Sequence, residues 1–333
     1  MHLIRRHFTI ACMLTMLMWG SLMPRHAFAD SHELAIGLVA ADSRELTVER
    51  WQPFIDGLAQ KIGVPVKIIV LDDYAGVIWH LATGKAQLAW LGNKSAIEAV
   101  DRANCEVIAR FDRKKSGGGY YSHLITQVDS PLNNVHDVFD NASELTFGNG
   151  DPNSTSGFIV PGFYLFTKNG KTPGTIFKRV MHNNHEGNFH AVANGTIDVA
   201  TSNSLAVTRY AVHFPEESGM IKIIWTSPLI PSDPIVVRTD LSTKTRKTIS
   251  DYFISYGKKT ADKTPDQVTE EKAIMARLTW EGFVSSDNSQ LIPIRKLELF
   301  KRRLRIERDA ALSEQSKKKQ FQIIDTQLRD LGT

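Results

Sequence analysis

The segments 81–90 (LATGKAQLAW) and 192–201 (VANGTIDVAT) repeat one spacing around a shared Ala-x-Gly, at a constant offset of 111. The same offset lays Gly84 on Gly195, Ala89 on Ala200 and Tyr74 on His185. Each segment reads as a helix end, a glycine C-cap and a short buried strand. A chain that contains this unit twice is constrained to two related α/β lobes. Each lobe then offers a polar ring, at the start of a helix, to a shared cleft. Around the repeat, short apolar runs predict strands over 34–39, 66–71, 87–91, 107–111, 124–128, 145–148, 179–182, 198–201, 221–225 and 235–238. Amphipathic stretches predict helices over 48–62, 75–83, 95–103, 189–193 and 243–256. This alternation makes the fold class α/β, with largely parallel sheets.

The two ends differ from the middle. Arg5 and Arg6 precede an apolar stretch from Phe8 to Met23, and Ala27-Phe28-Ala29 stands just before Asp30. These are the charged region, short apolar region and small-x-small site of a secretory signal peptide, so 1–29 is read as a removed leader. An uncleaved membrane anchor is the alternative, and the choice between general secretion and twin-arginine export stays open. The chain has 40 Lys and Arg against 36 Asp and Glu; the leader's Arg5, Arg6 and Arg25 taken away leave 37 against 36. Near neutrality argues against nucleic acid as a partner. Of the two cysteines only Cys105 remains, which excludes an intramolecular disulfide and a Cys-rich metal site. After about Asn288, 291–305 and 321–331 read as highly charged helices bearing Lys301-Arg302-Arg303 and Lys317-Lys318-Lys319. Such basic runs read first as solvated faces, and second as docking faces for another subunit or protein.

Chemistry concentrates in 148–157 (GNGDPNSTSG), directly before the apolar run 158–166. The first turn of a helix carries unpaired N–H groups and a partial positive charge, which suit an anion. Ser154, Thr155 and Ser156 add hydroxyl donors, and Gly157 lets a ligand approach the backbone. A tetrahedral oxyanion fits such a nest; a capped helix after a turn is the plainer alternative. Ligands of open α/β sheets bind beyond the carboxyl ends of strands, which brings 90–93 and 201–204 to the same cleft. Ser116-Gly117-Gly118-Gly119 before Tyr120-Tyr121 reads as a hinge, a ligand loop or an ordinary turn.

Taken together these residues resemble the PhnD-type phosphonate-binding proteins, periplasmic components of ABC importers. The resemblance is carried by Asp73-Tyr74-Ala75-Gly76, by Gly92-Asn93-Lys94-Ser95-Ala96 with 98–104, by 146–158, and by 227–231 with Asp233-Pro234. It runs through nearly the whole mature chain and is weakest in the tail. It implies a type II-like, two-lobed periplasmic binding protein with a hinge and a helical C-terminal tail. The implied divisions are lobe 1 over 30–125, lobe 2 over 126–232, a return to lobe 1 over 233–290, and the tail over 291–333. It also implies a small phosphonate or phosphite ligand, an inner-membrane permease, a periplasmic location, a possible homodimer, and neither cofactor, metal nor catalysis. Residue by residue, Ser154, Thr155, Ser156 and Tyr74 would hold the phosphonate oxygens, with Tyr120, His185 and Asp233 lining the cleft. One departure stands out: of two acids expected around a ligand ammonium, Asp233 matches one and Leu205 takes the place of the other. The alternatives are a ferric-ion or other oxyanion receptor and a sensor subunit. An exported phosphoryl-transfer enzyme fits less well, because no Gly-x-Ser-x-Gly elbow is present.

Overall fold

The computed structural model describes residues 33–40 and 44–332, so the expected leader lies outside the described residues. In chain order the strands are β1 (Leu34–Val39), β2 (Val66–Leu71), β3 (Leu88–Trp90), β4 (Cys105–Phe111), β5 (Gly119–Tyr120), β6 (Ser122–Gln127) and β7 (Thr146–Gly150). They continue as β8 (Arg179–Asn183), β9 (Val199–Asn203), β10 (Ile221–Thr226), β11 (Ile230–Pro231), β12 (Pro234–Arg238) and β13 (Phe283–Ser285). One sheet runs β13-β4-β12-β3-β1-β2, the other β10-β6-β9-β7-β8, and β11 pairs with β5 alone. Two sheets, each flanked by helices, make the two lobes.

The offset of 111 governs far more than ten residues. The helices Tyr74–Ala82 and Asn93–Arg102 map, end for end, on His185–Ala193 and Ser204–His213. The parallel register Ile36↔Leu88 and Gly37↔Ala89 maps on Phe147↔Val199 and Gly148↔Ala200. Gly84 and Gly195 both take left-handed backbone, at φ 72° and 70°. The turns around them are closed by equivalent bonds, Lys85 N–H to His80 O and Thr196 N–H to Ala191 O, both 2.8 Å. Gly37 and Gly148 are required by close helix–sheet packing. A Cβ would stand 2.9 Å from Val77 Cγ1 at the first and 2.6 Å from Asn188 Oδ1 at the second. Val77 and Asn188 are themselves 111 apart.

Each sheet borrows its one inner antiparallel strand from across the molecule. β6 enters lobe 2 straight after lobe 1 and pairs with β9 and β10. β12 returns from lobe 2 and inserts between β3 and β4. The expected division at 125/126 falls inside β6, because pairing with β9 already begins at Ser122. Just before these crossings β5 and β11 run side by side, so the glycine run lies in a two-stranded hinge. There a Cβ on Gly119 would sit 2.0 Å from Ile230 O, a distance no side chain tolerates.

Each lobe has a core of its own, and a third apolar cluster joins Leu91 and Ala96 of lobe 1 to Ile159 and Val160 of lobe 2 and Ile294 of the tail. In lobe 1, Trp51, Phe54, Phe111, Phe253, Trp280 and Phe283 form one buried aromatic cluster. In lobe 2, Phe147 stacks on Phe177 with centroids 4.6 Å apart, and Phe166 closes on them edge-on. Each such ring contributes roughly 1.5–3 kcal/mol by burial. The tail folds as a helical hairpin, Ile292–Arg308 and Glu314–Asp330, around Ile306, Ile324 and Leu328. Its first helix touches both lobes. Arg295 grips Asp101 through two bonds and Glu298 pairs with Lys94 in lobe 1; Arg308 donates to Thr167 O in lobe 2. Among the described residues no helix is long and apolar enough to cross a membrane.

Candidate functional site between the lobes

Five helices begin at the cleft between the sheets. Asp73 caps the helix opening at Tyr74 and Asn184 the one opening at His185, each accepting from a glycine N–H at 2.7 Å (Gly76 and Gly187). Gly92 precedes Asn93–Arg102 without a side-chain cap, and Asn203 caps Ser204–His213 through Ala206 N–H at 2.8 Å. Ser154 caps the fifth, accepting from Gly157 N–H at 2.9 Å. This fifth helix is wide-turned: Ile159 N–H bonds back five residues to Ser154 O. Its partner under the 111 offset is the regular helix Arg44–Ile62. Only the lobe that carries the hydroxyl run has the widened turn, a distortion often found at functional sites.

The hydroxyl run is fixed from three sides. Ser156 Oγ lies 3.3 Å from His185 Nε2 and accepts from Asn203 Nδ2 at 3.3 Å, while Ser156 O accepts from Ser122 Oγ at 2.6 Å. Gly150 makes room for the loop, since a Cβ there would lie 2.6 Å from the Gly157 backbone. Across the cleft, Lys94 N–H donates to Thr155 Oγ1 at 2.9 Å. The lobes are therefore in contact, helix start against helix start.

Between them lies a cavity of about 60 Å³. Lobe 1 supplies Tyr74, Trp90, Leu91, Gly92 and Asp233; lobe 2 supplies Asn184, His185, Glu186 and Arg209. Three of these wall residues hold buried polar atoms with no hydrogen-bond partner: Trp90 Nε1, His185 Nδ1 and Asp233 Oδ1. The Tyr120 hydroxyl and the Trp90 indole both act on the Asp233 carboxyl, so His185 Nδ1 is the clearest open position; leaving a buried polar atom unpaired costs about 1–3 kcal/mol, which marks it for a polar ligand. Burial, aided by the charge of Arg209, holds His185 down at about 4, so the imidazole is neutral at pH 7. Burial pushes Asp233 up to about 6 against the opposing effects of the Tyr120 hydroxyl and Arg113. Burial and nearby carboxylates raise both Tyr74 and Tyr120, which remain neutral hydroxyl donors.

The residues singled out from sequence thus gather at one place, in two layers. Tyr74, His185 and Asp233 form the cavity wall. Behind them sit Thr155 against Gly92, Ser156 against His185, and fully buried Tyr120, whose pKa is raised by the Asp233 charge. Ser154 is buried as the cap of its helix. Leu205 is half-buried against an apolar group that includes Tyr74, Tyr120 and Trp225, and is not on the wall. Arg209, one turn further along the same helix, is. Sequence reasoning missed Arg209; it brought Trp90 to the cleft with 90–93, at the end of the repeated strand, but gave it no ligand role.

The family model described as "ABC transporter, phosphonate, periplasmic substrate-binding protein" matches residues 36–291. The chain belongs to this family. It is 44% identical over 310 residues to the phosphonates-binding periplasmic protein of Escherichia coli K12, covering 93% of this chain and 89% of that one. A binding protein component of an ABC phosphonate transporter from Pseudomonas aeruginosa, known as a crystal structure, superposes with a TM-score of 0.84 at 41% identity. It covers 90% of this chain and 96% of its own. A Prochlorococcus marinus protein solved in complex with methylphosphonate shares the fold at TM-score 0.70 and 19% identity, over 81% of this chain and 99% of its own. Members of the family are substrate-binding components of transporters, and this chain is one of these periplasmic phosphonate-family binding proteins.

Proposed function

We propose that this protein captures a small phosphonate between its lobes in the periplasm, after loss of residues 1–29, and delivers it to an inner-membrane permease without chemical change. The observation that carries this reading is a cavity walled by three helix starts, at Tyr74, Gly92 and His185, and backed by the buried hydroxyl run Ser154, Thr155 and Ser156. Aligned N–H groups and neutral hydroxyls donate well to the oxygens of an anion, and several converging donors suit the three oxygens of a phosphonate. Charge-assisted hydrogen bonds contribute roughly 1.5–3 kcal/mol each. Several together support micromolar binding, about −8 kcal/mol, after ordering costs. Lobe closure would exclude water and present a changed surface to the permease.

Thr155→Ala is expected to weaken methylphosphonate binding about tenfold by calorimetry, the loss of one such bond. The melting temperature of the ligand-free protein should barely move. Unchanged affinity would remove the hydroxyl run from the site.

The ligand's substituent is read from the opposite wall. Arg209 makes that wall less favourable for a cation, and Leu205, one turn earlier on the same helix, packs an isobutyl group behind the wall where a carboxylate would offset this. The wall carboxylates are Asp233 and Glu186, and Glu186 shares its side of the cavity with the Arg209 guanidinium, so desolvating a ligand ammonium there is less favourable than beside two carboxylates alone. The expected ranking places methylphosphonate or phosphite above 2-aminoethylphosphonate. Leu205→Glu should raise 2-aminoethylphosphonate affinity about tenfold, roughly the worth of one charged hydrogen bond. No gain in calorimetry would show that position 205 does not select the substituent.

A further inference from the structure

The tail's basic run is not simply a solvated face. Arg303 pairs with Asp325 within the hairpin and Arg295 with Asp101 of lobe 1. Lys301 instead turns toward lobe 2, its ammonium 4.8 Å from the centre of the Phe158 ring. Gly162 gives it room, since a Cβ there would lie 2.6 Å from Lys301 Nζ. Around this ammonium, between the first tail helix and the wide-turned segments of lobe 2, runs a groove of about 410 Å³. Its charged walls are Lys171, Lys301, Arg305 and Arg308 against one carboxylate, Asp309, which already accepts from Ala311 N–H.

We propose that this groove is a second binding site, distinct from the interlobe cleft, for a compact phosphate-type polyanion.

The argument is one of uncompensated charge. Burial and the neighbouring Arg305 hold Lys301 down at about 8, so it still carries its proton at pH 7, half out of water. Among the described residues neither Lys301 nor Arg305 has a carboxylate within ion-pair distance, Glu298 acting on Lys301 only from further off, whereas Arg295, Arg303 and Lys94 are all paired. A desolvated ammonium facing a guanidinium is unfavourable for the fold alone. It becomes favourable when a polyvalent oxyanion neutralises both and accepts several of their N–H bonds. The groove's four basic side chains, beside the ring of Phe158, suit a phosphate or diphosphate. Two sources carry that chemistry: a free phosphate compound, and the headgroup of an anionic lipid.

The probe is inorganic pyrophosphate, titrated into the mature protein with and without saturating methylphosphonate. The expected result is binding that methylphosphonate does not displace. Arg305→Glu, on an exposed position, should weaken it at least about tenfold, while Lys318→Glu on the exposed face of the second tail helix leaves it unchanged. Lys301→Met should also abolish binding and raise the melting temperature of the free protein, because it removes the uncompensated charge. A lysine that serves packing alone would lower that temperature and leave binding intact, which overturns the proposal. A parallel sedimentation with phosphatidylglycerol vesicles separates the sources. Co-sedimentation lost in Arg305→Glu assigns the site to a lipid headgroup; pyrophosphate binding without co-sedimentation assigns it to a free phosphate. No binding to either probe, binding indifferent to Arg305→Glu, or displacement by methylphosphonate overturns the proposal. None of these outcomes touches the cleft reading, since Arg305 lies outside the cleft.

Discussion

Replacing Gly92 with valine is expected to weaken methylphosphonate binding by at least about a hundredfold while leaving the ligand-free protein as stable as before. Gly92 has φ −69° and ψ 161°, extended backbone that any residue adopts, so the change brings no local strain. What it brings is volume in one direction. A Cβ at Gly92 would stand 2.9 Å from Thr155 Oγ1, and Thr155 belongs to the other lobe. With the lobes apart, the valine meets no such atom. With the lobes together, it wedges between the two helix starts and breaks the bond from Lys94 N–H to Thr155 Oγ1. Ligand contacts made from both sides are lost together, and two charged hydrogen bonds at roughly 1.5–3 kcal/mol each exceed a hundredfold. Calorimetry gives the affinity, and small-angle scattering shows whether methylphosphonate still contracts the molecule. Gly174→Ala serves as the control, because a Cβ there meets nothing within 4 Å. Full affinity in Gly92→Val would mean that binding does not need the closed arrangement.

The reach of the sequence can be judged from the same repeat. The ten-residue segment betrays the duplication most clearly, because in both lobes it stops a helix, at Gly84 or Gly195, and starts a buried strand. Elsewhere the two halves have equivalent backbones but face each other across the cleft. Tyr74 answers to His185 and Trp90 to Thr201, so pocket residues diverge where the fold does not. Gly37 and Gly148 were a further readable pair, since both are there for lack of a side chain. The helix Pro265–Arg277 was not legible: it buries only Val268, Ile274 and Met275, too few to impose a period. β13, three residues long, lacks a pattern for the same reason. The widened turn at Thr155 leaves no trace in composition, because an ordinary helix accepts the same apolar run. Lys301 was misread because its burial depends on the tail folding back over Phe158 and Gly162, a tertiary event that local charge does not report.

Asp233→Asn is expected to act in opposite directions on stability and on the binding of a cationic ligand. Burial raises the folded carboxyl to about 6, against an unfolded value near 4. Above pH 6 the folded state carries an ionised carboxylate that it holds poorly. As pH falls from 6 to 4 the native state takes up a proton that the unfolded state does not, so this penalty is relieved. Asparagine never carries it. At pH 7.5 the variant should therefore be more stable by on the order of 2 kcal/mol, a rise of a few degrees in melting temperature, with the gain vanishing near pH 4. Binding responds the other way. An ammonium seated beside Asp233 stabilises the ionised form, and removing one partner of a buried ion pair costs about 3–5 kcal/mol. The variant should thus lose at least about a hundredfold in 2-aminoethylphosphonate affinity and little in methylphosphonate affinity. Dividing the wild-type ratio of the two affinities by the variant's at each pH cancels the titration of the ligands themselves, which is common to both proteins. The wild-type ratio should fall relative to that of Asp233→Asn as pH drops from 7.5 to 5, through protonation of Asp233. A ratio with the same pH profile in both proteins would place Asp233 out of contact with the ligand's substituent and leave its unpaired Oδ1 without that role.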